Sequence, residues 1–245
     1  SVYAALRGLA SPGAEHGRLP VIYHISPEGK LLNSFTVGER EWNIVDSMAT
    51  DAQGRLYVRM RMQEDGSYVR IYSAEGELIG TVADDNSYAV QGAGALGQGK
   101  DGKVYAAAQA VGNTTAGDMA MTLVSVDPES LRFVPVAGGE NVICSADMIY
   151  PWKMVAAGVS ETADFILWGY NGVDTYRLGE TEFTRVQENW EMPCGTEGTC
   201  AVLVPDGRIL YIGASGGFQG TTADGVEISG KDPVKTVFYY EPLAK

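Results

Sequence analysis

Ser47-Met-Ala-Thr-Asp-Ala-Gln-Gly-Arg-Leu-Tyr-Val58 is the stretch that decides the fold. A run of small residues leads into a turn holding Asp51 and Gly54, and a strand with an aromatic and a β-branched residue follows. The same phrase returns as Gly94-Ala-Leu-Gly-Gln-Gly-Lys-Asp-Gly-Lys-Val-Tyr105 and as Ala201-Val-Leu-Val-Pro-Asp-Gly-Arg-Ile-Leu-Tyr-Ile212. A phrase used three times along one chain is the mark of a repeat architecture.

A second phrase follows: strand, short turn, strand. It occurs as Val21-Ile-Tyr-His-Ile-Ser-Pro-Glu-Gly-Lys-Leu-Leu32 and Val69-Arg-Ile-Tyr-Ser-Ala-Glu-Gly-Glu-Leu-Ile79. Leu123-Val-Ser-Val-Asp-Pro-Glu-Ser-Leu-Arg-Phe133 and Asp174-Thr-Tyr-Arg-Leu-Gly-Glu-Thr-Glu-Phe183 repeat it. In these turns Pro presets φ and Gly supplies the positive φ that closes a hairpin. Together the two phrases give four strands, A to D, every ~45–55 residues, which is the period of propeller blades. No segment keeps an apolar stripe of helical period beyond two turns.

The units resemble the blades of the NHL and YVTN repeat family, whose A–B hairpin reads DxxGrlYV and whose C–D hairpin reads v.iydpeGkll. The resemblance spans most of the chain and implies a blade type rather than any one activity. The expected fold is all-β, a β-propeller of four-stranded antiparallel blades in a single domain, 1–245. Its blades cover approximately 1–37, 43–83, 89–137, 145–187 and 199–241.

The strand count leaves both ends short. The first unit opens at a B strand, Ser1-Val-Tyr-Ala-Ala-Leu6, and the last supplies A, B and C (199–213 and 235–241) without a D. The expectation is therefore four to five blades' worth of strands, forming an open array, part of a larger ring, or a ring closed by strands other than those assigned. Open edges invite pairing, so the ends are expected to meet missing sequence or another chain.

Charge narrows the partners. Thirty-one acidic residues against 18 basic ones give a net charge of −13. Such a chain repels phosphate backbones and anionic membrane surfaces, so nucleic acid is not expected as a partner. A small molecule, a glycan or a protein remains as the ligand. No run of apolar residues is long enough for a membrane-spanning helix. The chain begins at Ser1 in strand-like sequence with no signal peptide, as a processed or a trimmed protein would, and the expected location is extracellular, periplasmic or at the cell surface.

The candidate ligand face is the one carrying the D-to-A loops. These hold Glu41, Trp42 and Asn43; Asp85, Asn86 and Tyr88; and Asn189 with Trp190. Phe35 to Trp42 and Phe183 to Trp190 share a seven-residue separation, which places the two Trp at equivalent positions. Aromatic plates flanked by carboxylates and amides suit a sugar ring or a cation. The competing role for each Trp is packing between blades. The long B-to-C loops, 214–233 above all, are a second candidate, because loops of that length are usually functional or disordered.

Other motifs fall away on chemistry. Gly94 to Asp101 imitates a phosphate-binding loop, but Asp101 stands where Ser or Thr would ligate magnesium, and a strand follows where a helix is required. Gly213-Ala-Ser-Gly-Gly217 matches a nucleophile elbow yet leads into a loop. Two histidines, without cysteines at ligand spacing, give no zinc site. No cofactor is expected. Calcium held by carboxylates stays open, since propeller lactonases hold a metal with Glu, Asn and Asp, although no motif here carries those ligands over. Cys194 and Cys200 bracket a Gly-containing loop that can bend into a disulfide. Cys144 is an alternative partner or a buried thiol, and Asn113-Thr-Thr115 is a glycosylation sequon.

A binding or interaction module is the leading functional expectation. A hydrolase, lactonase or lyase using carboxylates at the channel mouth is the rival. A structural part of a larger surface protein is the third.

Overall fold

The computed structural model describes residues 1–6, 19–38, 44–62, 66–82, 88–89, 96–110, 120–136, 142–143, 153–156, 164–168, 173–178, 183–190, 200–203, 208–214, 220–221, 227–228 and 236–242. Among them there is strand, turn and no helix, so the expected all-β class holds.

Each recurrent segment contributes one antiparallel sheet. The first holds β1 (Val2–Leu6), β2 (Val21–Ile25) and β3 (Leu31–Thr36). The second is a complete blade of β4 (Ile44–Thr50), β5 (Leu56–Met62), β6 (Gly66–Tyr72) and β7 (Leu78–Thr81) in sequential order.

In the third, the inner strand is split into β8 (Tyr88–Ala89) and β9 (Leu96–Gln98), both paired with β10 (Val104–Ala110). Its outer strand is split as well: β12 (Arg132–Pro135) and β13 (Val142–Ile143) both pair with β11 (Ala120–Asp127). The fourth holds β14 (Lys153–Ala156), β15 (Phe165–Trp168), β16 (Val173–Leu178) and β17 (Phe183–Trp190).

The last sheet is β18 (Cys200–Leu203), β19 (Arg208–Ala214) and β22 (Thr236–Pro242); between β19 and β22 lies a two-stranded hairpin, β20 (Gly220–Thr221) with β21 (Glu227–Ile228). Two sequence expectations change here. The loop 214–233 contains that hairpin, and Glu188 to Trp190 belong to β17 rather than to a D-to-A loop. Register shifts near Val173 and Thr175 accommodate the polar end of β17.

The strands form because both faces of the inner sheets are buried. Along β5, Leu56, Val58 and Met60 join Ile22 and Val37 of the first blade in one core. Tyr57 points the other way and joins Val69, Leu96, Val104 and Val124 in a core shared with the third blade. A period-two strand with apolar residues on both faces is what a stack of sheets requires. The edge-on contact of Tyr105 with Phe165, centroids 5.1 Å apart, carries the stacking on to the fourth blade.

The inner strands form a row in which β4 lies against β9, β9 against β14 and β14 against β18. Among the described residues no strand pairing joins the last sheet to the first.

Hairpin turns close by a common device. Ser26, Asp51 and Ser73 each accept backbone hydrogen bonds on the side-chain oxygen from residues two and four further on. Gly29, Gly54 and Gly76 follow at positive φ.

Candidate functional site

The A–B and C–D turns gather at one end of the blades, and there the described residues form a recess. Between the second and third blades lies a cleft of about 470 Å³. One wall is the A–B turn of the second blade, with Asp51, Gln53, Arg55 and Tyr57. The other is the A–B turn of the third, with Asp101 to Lys103, and the C–D turn at Asp127.

Asp51 organises the first wall. Its side chain is buried, with Oδ1 accepting from the Gln53 and Arg55 backbone N–H groups at 3.0 and 2.9 Å. Oδ2 accepts from Arg55 Nε at 2.5 Å and from the Tyr57 hydroxyl at 3.0 Å. With its oxygens filled, this carboxylate is committed to the turn. In the third blade the Lys103 N–H reaches Asp101 Oδ1 at 3.1 Å, and the Tyr105 hydroxyl reaches Oδ2 at 2.9 Å. Burial, reinforced by the neighbouring carboxylate, holds both the Tyr57 and the Tyr105 phenol well above the usual range. Both therefore stay protonated donors at neutral pH.

The groups left facing solvent differ in kind. Arg55 Nη1 lies 3.6 Å from Glu129 across the blade boundary, and Lys103 Nζ lies 3.7 Å from Asp101. The Ser130 hydroxyl and the Glu129 and Ser130 N–H groups hold the Asp127 carboxyl below its ordinary value. Pro128 and exposed Val134 add apolar surface to the lining, while Val126 turns into the core. The cleft thus offers hydrogen-bond donors, acceptors and a short greasy surface. It suits a small ligand with both hydroxyl groups and C–H faces.

Contacts of the same sort stitch the turn end together along the array. The Asn33 amide donates to the Glu75 carbonyl at 2.6 Å, and the Ala52 N–H to the Gly102 carbonyl at 2.9 Å. Lys100 pairs with buried Asp164, whose other oxygen accepts from the Leu178 N–H at 2.8 Å. Gly94 to Asp101 accordingly ends in a hairpin turn and not at a helix.

None of the residues expected to form a ligand face is among those that line this cleft. Glu41, Trp42, Asn43, Asp85, Asn86 and Cys194 fall outside the described residues. Tyr88 opens β8 opposite Ala110, and Asn189 and Trp190 close β17, with Trp190 opposite Val173. The start of an inner strand and the end of an outer strand share the blade end opposite the turn cleft. Cys200 opens β18 opposite Ile212. Among the described residues no group of three or more His, Cys, Asp and Glu is placed to hold a metal ion. His24 sits within β2, its ring stacked on Tyr3 at 4.2 Å. The cleft escaped sequence reasoning because its walls come from two blades; the repeated Asp-containing turn was its one visible signal.

No family model and no curated protein matches the chain. Solved structures do. One is a protein of unknown function from Bacteroides caccae, 9% identical, covering 91% of this chain and 70% of that one, with a TM-score of 0.43. Another is the intramolecular trans-sialidase from Ruminococcus gnavus in complex with oseltamivir carboxylate. It is 11% identical and covers 90% of this chain and 50% of that one, with a TM-score of 0.51.

The array is propeller-like. That much rests on the sheets and on the second likeness, which speaks to fold alone. This chain spans half the length of the trans-sialidase. Neither likeness identifies an NHL or YVTN family.

Proposed function

We propose that this propeller-like chain, with blades of the NHL and YVTN type, is an extracytoplasmic binding module for a hydroxyl-rich ligand, a carbohydrate being the class that fits best. The observation that carries the reading is the cleft between the second and third blades. Lys103 and Arg55 can donate and Asp101 and Asp127 accept beside the contacts they already make, and Pro128 with exposed Val134 adds apolar surface for one face of a ring. The opposite blade end, which holds Trp190 and for which the sequence also suggests Trp42, is the rival seat for the same ligand.

The test is a glycan array followed by titration of any hit, with and without calcium. The proteins compared are the wild type, a Lys103→Ala/Asp127→Ala variant and a Trp42→Ala/Trp190→Ala variant. Loss of affinity of about tenfold or more in the first variant alone, equivalent to ~1.4 kcal/mol, assigns the cleft. Loss in the second variant alone moves the ligand to the opposite end. A wild type that binds no glycan removes the proposal, and turnover of a bound sugar replaces it with an enzyme. Loss of two hydrogens in mass on oxidation, mapped to Cys194 and Cys200, would support the extracytoplasmic placement.

A further inference from the structure

Leu131 is the one residue other than glycine, among those described, whose φ is positive, at 54°. It stands in the C–D turn of the third blade, between β11 and β12. The corresponding turns of the first and second blades carry Gly29 and Gly76 at positive φ, 81° and 90°. A glycine adopts that backbone freely, whereas a Cβ there crowds the neighbouring carbonyl. The third blade therefore holds its turn under strain.

Strain of this kind persists only where the surroundings impose it. Here the surroundings are the second blade. A Cβ on Gly80, within β7, would stand 2.5 Å from Leu131 Cδ1 and 2.7 Å from Cδ2. The leucine thus lies directly on the bare backbone of the neighbouring blade. Glycine weakens a strand and often marks a close approach; this one makes room for Leu131. The side chain also packs against the core of Tyr57, Val69 and Ile71. Burial pulls the turn down, and backbone strain pushes it up.

We propose that residues 128–131 form a sprung latch on the cleft between the second and third blades. The observed state is the docked one; in the released state Leu131 leaves Gly80 and its φ turns negative. Docked, Glu129 lies 3.6 Å from Arg55 across the blade boundary. Asp127 then accepts from the Glu129 N–H at 3.1 Å and the Ser130 hydroxyl at 2.6 Å. β11 and β12 pair from Asp127 and Arg132 onward, so the movement is confined to the turn. Release withdraws Pro128 from the cleft lining and gives the Asp127 carboxylate back to it as an acceptor. The cleft is wider in that state and better able to take a ligand. This consequence rests on the reading of the cleft as a ligand seat; the latch itself does not.

Limited proteolysis of the whole protein with a Glu-specific endopeptidase reads the released state, through cleavage after Glu129 followed by mass. When the turn opens and closes faster than it is cut, the rate follows the open population. Three variants separate strain from packing. Leu131→Ala keeps the strain and loses the contact, Leu131→Gly loses both, and Gly80→Ala keeps the strain and crowds the contact. Leu131→Ala and Gly80→Ala should be cut about tenfold faster than the wild type or more, and Leu131→Gly more slowly than Leu131→Ala. Were Leu131 only a packed side chain, glycine, the smaller and looser residue, would be cut faster than alanine. Glycine cut as fast as alanine overturns the latch, and so does Leu131→Ala or folded Gly80→Ala cut at the wild-type rate. The two Leu131 variants change a half-buried turn residue, so they decide the matter should Gly80→Ala fail to fold. A protein that binds no glycan but keeps this order of cleavage loses the function proposed above and retains the latch.

Discussion

Asp51 shows what one side chain contributes when it is buried and filled. It accepts four hydrogen bonds, two from backbone and two from side chains, so its removal leaves several donors stranded. Asp51→Ala is expected to cost about 3 kcal/mol, and Tyr57→Phe, which deletes one of the four bonds, about 1.5 kcal/mol. Urea denaturation of the two variants measures both. The same pair predicts an alkaline weakness. The Tyr57 and Tyr105 phenols have folded pKa values raised above their unfolded ones. Their contribution is whole below the unfolded value of about 10 and declines as pH rises through the interval up to the folded value. Denaturation midpoints at pH 8 and pH 11 should therefore fall less in a Tyr57→Phe/Tyr105→Phe protein than in the wild type; equal falls would refute the assignment.

At the scale of the turn and the strand, the test is between two glycines. Gly54 and Gly102 both have positive φ, 79° and 77°. A Cβ on Gly54 would meet nothing within 4 Å, whereas one on Gly102 would stand 2.5 Å from the Ala52 Cβ of the neighbouring blade. Gly54→Ala should cost only the backbone strain, about 1 kcal/mol, and Gly102→Ala about 2–3 kcal/mol because the blades must also part. Thermal melts of the two variants side by side give the difference. Both glycines sit in the phrase that reveals the repeat, and its strands were legible because turn chemistry and alternation agree locally. Three features were not. β17 carries Glu188, Asn189 and Trp190, whose polarity imitates a loop until cross-strand pairing with β16 overrides it. The third blade places two short strands, β8 and β9, against β10 where the sequence reading expects one inner strand. The cleft depends on how two turns meet, a relation no local pattern contains.

For the molecule as a whole, the contacts between blades set the stability, since each sheet touches its neighbours. Arg59 is fully buried beside Asp46, 3.6 Å away, whereas Arg55 meets Glu129 at the same distance near solvent. Arg59→Ala should cost about 3–5 kcal/mol, because it removes a fully buried side chain together with its ion pair. Glu129→Ala should cost at most about 0.5 kcal/mol, because solvent screens that pair. A large loss at Glu129 would show that the blade boundary relies on its rim rather than its core.

One strand stands in both cores. β5 gives Val58 and Met60 to the first-to-second boundary and Tyr57 to the second-to-third. It is a party wall, and a disturbance on one side has a route to the other. Hollowing out Met60 on the first-blade side would loosen the ground on which Tyr57 and Asp51 hold the cleft. A ligand clamped there would, in return, stiffen the neighbourhood of β1. Occupancy at the turn end and packing between the first two blades would then be reciprocal, each legible in the other.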